Sequence, residues 1–421
     1  MRITLVTIGS RGDVYPYVAL GKGLRKSGHQ VRVATHERFE PLIRRHDLEF
    51  GPVVGDPRDA VESDAGQAWL GTGGNPAAFG WRMAQLMRPM MKDAVRDCWA
   101  ACRDADLVLC SLVGWLPAQS SVDNTGTPCI PAFLQPVTPT RSFPAAAWPA
   151  QSNLGAWYNL LTYRVGDQAL WHLFRSALNE ARRDVLGLGP LPLRTPMAQA
   201  RRRGDPVLYG YSPTVVPPPP DWPPSVTVTG YWVLEDDRDW RPPPDLSEFL
   251  GSEPAPVYVG FGSMHQRSAP EITQTVVAAL EKAGRKGILL TGWGGLSSAD
   301  LPEHVYPVES VPHEWLFPRV GAVVHHCGAG TTAAGLRAGV PTVPLPFFGD
   351  QPFWARRLYQ LGVATTPIPV RHLSADRLAE AIVRATTNRE IRDRAARVGE
   401  RLRMENGVAR AVEAVDALQR R

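Results

Sequence analysis

Long apolar runs are missing from this 421-residue chain. None approaches the roughly 20 residues that a bilayer span requires, so a stable membrane-spanning helix is excluded. Cysteine is scarce, with five in all, and only Cys98 and Cys102 lie close in sequence, at a spacing that suits one helix face. No histidine cluster accompanies them, so neither a disulfide framework nor a zinc knuckle is expected, and reduced thiols fit a cytosol. Lysine is equally rare: five of the 46 basic residues, at positions 22, 26, 92, 282 and 286, the rest being arginine. The net charge of +5 is small, and no aromatic-basic stripe points to nucleic acid. The arginine pairs and triplets, Arg44-Arg45 and Arg201-Arg202-Arg203, read as solvated surface, with an anionic membrane face as the one contact they suit. A dinucleotide fingerprint is absent, since GSRGDV and GAGTTA both fail G-x-G-x-x-G, and no Walker loop occurs. These absences weigh against a dehydrogenase or an ATPase.

What is present is alternation. The opening MRITLVTIGSRGD has too short an apolar stretch for a secretory signal and reads as the first strand of a cytoplasmic protein, Ile3 to Ile8. A helix follows, with Tyr17, Leu20 and Leu24 on one face and Gly28 as terminator, then a strand from Val31 to Thr35. This is a βαβ unit, and the apolar runs 106–113 and 129–135 continue a parallel sheet. The second half restarts the pattern with strands at 257–261, 287–290, 305–308, 322–326 and 342–345, and helices at 270–283, 314–317 and from 352. Its charged helices run from Ser374 through Gln419. The expectation is an α/β protein with two Rossmann-like βαβ domains facing across a cleft, because ligands in such sheets lie outside the carboxyl ends of the strands. The boundaries expected are 1–205, a proline-rich linker at 206–256, 257–400, and a last helix, 401–421, crossing back. The linker carries Pro217 to Pro220 and Pro242 to Pro244, which suit neither a helix nor a central strand. Its Asp237-x-Asp239 pair reads as solvated loop rather than as a metal site.

Two stretches are rich in large apolar side chains. Residues 64–104 hold Trp69, Trp81, Met83, Met87, Met90, Met91 and Trp99, which read either as helix core or as a pliable wall for a large hydrophobic ligand. Residues 133–171, with Phe133, Phe143, Trp148, Trp157 and Tyr158, read as loops and short helices above a sheet edge.

The sharpest motif is His325-His326-Cys327-Gly328-Ala329-Gly330-Thr331-Thr332, a strand running through small residues into a helix. Glycines let backbone amides approach an anion, the helix start favours negative charge, and the histidine and threonines add donors, so a diphosphate is held without metal. The ordinary alternative is a tight turn with threonine caps. Asp13 likewise reads, on local grounds, as a turn or cap residue before the Tyr17 helix, and Asp350-Gln351 as a helix entry ahead of Pro352.

The segment from Ser310 to Gln351, VPHEWLFPRVGAVVHHCGAGTTAAGLRAGVPTVPLPFFGDQ included, resembles the donor-binding signature of glycosyltransferase family 1, which has the GT-B fold. GSRGDVYPYVALGKGL at the start, TGYW near Gly230 and VYVGFGSM at Val257 resemble its sterol and antibiotic branch. The resemblance implies an inverting, metal-independent O-glycosyltransferase without a cofactor. A nucleotide diphosphate sugar would be held by the second half and a large hydrophobic alcohol by the first, in a bacterial natural-product setting suggested by the composition. It makes Asp13, where many relatives have histidine, the catalytic base, with Ser10 as helper and Gly12 beside the donor. Ser263, His326, Gly328, Gly330 and Thr331 correspond to diphosphate contacts, and Asp350 and Gln351 to the pair that holds the sugar hydroxyls. Ser310 replaces the family's stacking tryptophan and Ala334 its ribose-binding glutamate, which leaves Trp293, Val311 and His313 as candidates around the base and uridine against thymidine open. Met83, Met87, Phe133 and Gln135 are the acceptor candidates. A catalytically silent partner of another glycosyltransferase, and a sugar-nucleotide epimerase on the same fold, are the alternatives.

Overall fold

The computed structural model describes residues 1–55, 76–148, 152–235, 240–251, 253–261, 269–291 and 301–418. Trp69, Asp237, Asp239, Ser263 and Trp293 lie outside the described residues. The chain divides into two units, one made of Met1–Pro213, Pro217–Leu234 and Asn406–Arg421, the other of Thr214–Val216 and Glu235–Glu405.

The first unit runs β1 (Arg2–Val6), α1 (Arg11–Lys26), β2 (Gln30–Thr35), α2 (Glu40–Arg45), β3 (Glu49–Pro52), α3 (Pro76–Met87), α4 (Met91–Cys102), β4 (Leu107–Cys110), α5 (Trp115–Val122), β5 (Cys129–Phe133), α6 (Ala156–Leu186), α7 (Pro196–Arg203), β6 (Val207–Tyr209) and β7 (Val226–Val228). Its strands pair in parallel in the order β3-β2-β1-β4-β5-β6-β7. Helices cover both faces, so the strands read as nearly unbroken apolar runs. On one face Val14, Tyr17, Leu20 and Leu24 of α1 meet Ile3, Leu5 and Val33. On a second cluster, Trp171, Phe174 and Leu178 of α6 pack on Met91 and Val95 of α4. α1 stops at Ser27, and Gly28 takes φ +89°, a backbone that L side chains rarely adopt.

The second unit runs α8 (Pro244–Leu250), β8 (Val257–Gly260), α9 (Ala269–Lys282), β9 (Gly287–Leu290), β10 (Val305–Val308), α10 (His313–Leu316), β11 (Ala322–His325), α11 (Ala329–Ala338), β12 (Thr342–Pro344), α12 (Gln351–Gln360), α13 (Ala375–Thr387) and α14 (Arg389–Met404). The strand order is β10-β9-β8-β11-β12, again parallel. Val257, Val259 and Phe261 point into one apolar cluster and Tyr258 into the other, the period of two that a strand imposes. The last helix, α15 (Gly407–Leu418), belongs to the first unit: Ala411, Val412 and Val415 enter the α1 cluster. A Cβ on Gly407 would lie 2.4 Å from the Tyr231 carbonyl oxygen, so only glycine permits that approach.

Two local readings need correction. Residues 205–234 are not a bare extended connection, because β6 and β7 extend the first sheet there. Trp232, from the TGYW phrase, is buried edge-on against Tyr17 at 5.6 Å and donates to the Thr229 hydroxyl at 2.9 Å. Pairing of three-residue strands is a tertiary event that the surrounding prolines conceal. Likewise the expected short helices around Trp157 are one helix of 31 residues: no proline interrupts it, and Gly155 and Gly187, both at positive φ, bound it.

Candidate active site

In an open parallel sheet the crevice lies where the strand order reverses. In the first unit that point is between β1 and β4. The turn from Thr7 to Ser10 leaves β1 there, and the Ile8 amide donates to the Ser111 hydroxyl, just past β4, at 3.3 Å. Asp13 sits in the first turn of α1, half-buried, with its carboxylate turned back on the turn. Oδ2 accepts from the Ser10 amide at 2.8 Å and from the Ser10 hydroxyl at 3.1 Å, and the Thr7 hydroxyl donates to the Asp13 carbonyl at 2.8 Å. Among the described residues no hydrogen bond reaches Oδ1. Gly9 takes φ +146°, and a Cβ there would come within 2.4 Å of Oδ2, so glycine is what lets the carboxylate fold back. Burial raises the Asp13 pKa above the ordinary 3.8, while the two Ser10 bonds, which favour the anion, pull the other way. One oxygen thus closes the helix start, and the other carries no hydrogen bond among the described residues.

His36 supports this turn and was not singled out from the sequence, where it reads as an ordinary strand-end residue. It is buried, accepts from the Gly9 amide at Nε2 (3.2 Å) and places Nδ1 3.3 Å from the Val53 carbonyl. It acts through backbone groups, and such a role leaves no spacing to read. Gly12 is exposed in the first turn of α1, and a Cβ there would meet nothing closer than the Ser10 hydroxyl at 3.8 Å.

In the second unit the order reverses between β8 and β11. β11 ends at His325, whose Nδ1 accepts from the Cys327 amide at 3.0 Å; Cys327 takes φ +65°, and Gly328 caps α11. The Thr332 amide is the first to close the helix, on the Gly328 carbonyl at 2.9 Å, so the amides of Ala329, Gly330 and Thr331 have no acceptor four residues back. They form the positive end of the helix dipole. Gly330 is exposed and Thr331 half-buried, whereas Thr332 is buried. Of the two threonines, the first is therefore the accessible one. His326 stands beside the turn, and a Cβ on Gly328 would lie 2.5 Å from its Nε2. Burial lowers the His326 pKa to about 4, with the Gly260 carbonyl at the end of β8 opposing. The imidazole is therefore a neutral hydrogen-bonding group at physiological pH. Asp350 precedes α12 and accepts from the Trp354 indole at 2.7 Å. Its charge helps burial push up the Cys327 thiol, which puts it near the same turn. The Gln351 oxygen accepts from the amides of Phe347 (2.8 Å) and Phe348 (3.3 Å), fixing the loop after β12.

Other candidates are engaged in packing. Val311 lies in the apolar cluster of the second unit, and the His313 ring stacks on Phe317 at 4.4 Å, with Nε2 3.4 Å from the Tyr258 hydroxyl. Phe133 is buried at the end of β5, Gln135 is half-buried just beyond it, and Met83 and Met87 pack against the α4–α6 cluster. The two methionines thus serve the helix core in this conformation.

Two doubly wound parallel sheets, each with a strand-to-helix turn at its reversal point, define the class: a GT-B type α/β protein. Solved structures agree on the fold. The glycotransferase of kitacinnamycin superposes with a TM-score of 0.73 at 20% identity, covering 99% of this chain and 98% of that one. Glycosyltransferase VinC, solved in complex with dTDP, gives 0.67 at 19% identity over the full length of both chains. The family is given by sequence. Residues 3–132 match the glycosyltransferase family 28 N-terminal domain, and residues 290–415 the C-terminal domain of erythromycin biosynthesis protein CIII-like proteins. Sterol 3-beta-glucosyltransferases of Cryptococcus neoformans var. neoformans serotype D and of Aspergillus clavatus are each 38% identical across 99% of this chain. The chain spans 27% and 29% of the length of these relatives. It belongs to glycosyltransferase family 1, in the branch of the sterol and antibiotic glycosyltransferases.

Proposed function

We propose that the chain is an inverting, metal-independent O-glycosyltransferase that moves a sugar from a nucleoside diphosphate to a hydroxyl of a sterol or similar polycyclic alcohol. One observation carries the reading: Asp13, half-buried at a sheet reversal point, is anchored through Oδ2, while Oδ1 has no hydrogen bond among the described residues. In the proposed step the acceptor oxygen bonds to the anomeric carbon as its proton passes to Oδ1. The bond from that carbon to the diphosphate breaks on the opposite face, which inverts the configuration. The departing charge falls to the amides of Ala329, Gly330 and Thr331, the Thr331 hydroxyl and His326; Asp350 and Gln351 meet the sugar hydroxyls. A carboxylate of ordinary pKa is a weak base toward an alcohol, and the upward shift at Asp13 improves the match.

The sterol-like acceptor is supported by the 38% identity to fungal sterol glucosyltransferases over almost the whole chain. A bacterial natural-product setting draws no support from these fungal relatives, and the solved neighbours, at 20% identity or less, speak for the fold alone. All five cysteines are free thiols, which suits a reducing cytosol. The test is to incubate the protein with UDP- and dTDP-sugars and a panel of sterols and macrocyclic alcohols, followed by mass analysis of both substrates. A hexose mass added to a sterol supports the reading. An isomerised donor or an untouched acceptor panel contradicts it.

A further inference from the structure

The solvent side of α6 breaks the rule for an exposed helix face. In its N-terminal half α6 buries Asn159, Thr162 and Tyr163 on one side. The opposite side should be polar, yet it carries Trp157, Leu161 and Val165, spaced four residues apart, and they are 81%, 47% and 45% exposed. Leu154, just before the helix, is also exposed. The stripe covers about 12 Å of helix.

Charge decides what covers it. Arg164 projects from the same face, and Arg194 follows exposed Leu193, whose carbonyl accepts from Gln168 on α6 at 2.9 Å. Neither arginine makes an ion pair among the described residues. Asp167 is the only acidic residue between positions 154 and 175, and it is tied to Arg201. The runs that the sequence offered for a membrane contact are engaged instead, with Arg44 on Glu40, Arg201 on Asp167 and Arg203 on Asp205. A second copy is the poorer occupant, because a two-fold pairing of this face would set its cations against one another.

We infer that the N-terminal half of α6 is a docking site for an anionic lipid surface, with Trp157, Leu161 and Val165 entering the interface and Arg164 and Arg194 meeting headgroup phosphates. Tryptophan suits this position because its ring is apolar and its indole N–H is polar. The inference uses the first unit alone and does not depend on which alcohol is glycosylated.

The test is sedimentation of the full chain with vesicles of phosphatidylcholine alone or mixed with phosphatidylglycerol, at low and high salt. The wild type is expected to sediment with the mixed vesicles and weakly with the neutral ones. Trp157→Ser with Leu161→Ser should weaken binding roughly tenfold or more, and Arg164→Glu with Arg194→Glu should remove the salt-sensitive part. Circular dichroism and turnover of a detergent-dispersed sterol should stay unchanged in both variants, since these side chains are exposed. Four results would overturn the inference: no sedimentation of the wild type, equal sedimentation of the apolar variant, loss of detergent-phase turnover in that variant (the stripe then belongs to the acceptor site), or a wild-type dimer that the variant dissolves without any lipid binding.

Discussion

In the first unit the turn after β1 is built around a side chain: Gly9 makes room, Ser10 and His36 hold the frame, and the Asp13 carboxylate occupies the helix start. In the second, the turn after β11 is built around backbone: Gly328 and Gly330 keep the helix start open, and its first amides have no acceptor four residues back. The same architectural position thus serves opposite needs. A carboxylate fills the positive helix end in one unit, and in the other that end is left open. On the proposed function, this difference would let one fold, used twice, supply both a base and a leaving-group site.

The strongest way to break the comparison is Asp13→Asn. The amide oxygen can still accept from Ser10, so the fold should survive, while kcat falls by roughly 10²–10⁴-fold. Because burial costs the charged form, the variant's Tm at pH 7 should equal or exceed the wild type's; a large drop would mean that the residue is chiefly structural. Next comes Gly9→Ala, whose methyl would overlap the Asp13 carboxylate. It should lower kcat by roughly tenfold or more, as expected when a catalytic group is misplaced by a fraction of an ångström. Gly328→Ala tests the other turn by pushing on His326. It should raise the donor KM by about tenfold and leave the acceptor KM alone, as loss of a hydrogen bond to a charged group would. The smallest effect is the sharpest about electrostatics. With its pKa near 4, His326 is neutral from pH 6 to 8, so the imidazole should contribute no change in calorimetric donor affinity across that range.

Much of this was legible beforehand because its signal is local. Apolar runs gave most strands of the second sheet to within a residue or two, and the small residues from Gly328 to Thr331 announced a helix start open to an anion. What escaped depends on distant partners. β6 and β7 exist because Val207–Tyr209 finds β5 and Val226–Val228 finds β6, and three residues among prolines carry no periodicity of their own. Trp232 looked like linker and proved to be core; Trp232→Ala should destabilise the first unit by ~3–5 kcal/mol, read by denaturant unfolding. His36 holds a backbone amide, for which many residue types could serve, so its identity advertised nothing. Asp13 lay between these cases. Its place in the chain was readable, but the division of labour between its two oxygens required coordinates.

The most direct test of the central claim is the pH dependence of kcat/KM for the acceptor, with wild type, Ser10→Ala and Asp13→Asn compared side by side. The account predicts a wild-type acid limb with unit slope, set by a carboxylate titrating above 3.8, below which activity falls as Asp13 takes up a proton. Ser10→Ala removes a bond that favours the anion and should move the limb to higher pH; Asp13→Asn should abolish it, leaving a low and flat residual rate. An acid limb that stays at the same pH in all three proteins, with Asp13→Asn close to wild-type turnover, would contradict the assignment of Asp13 as the base.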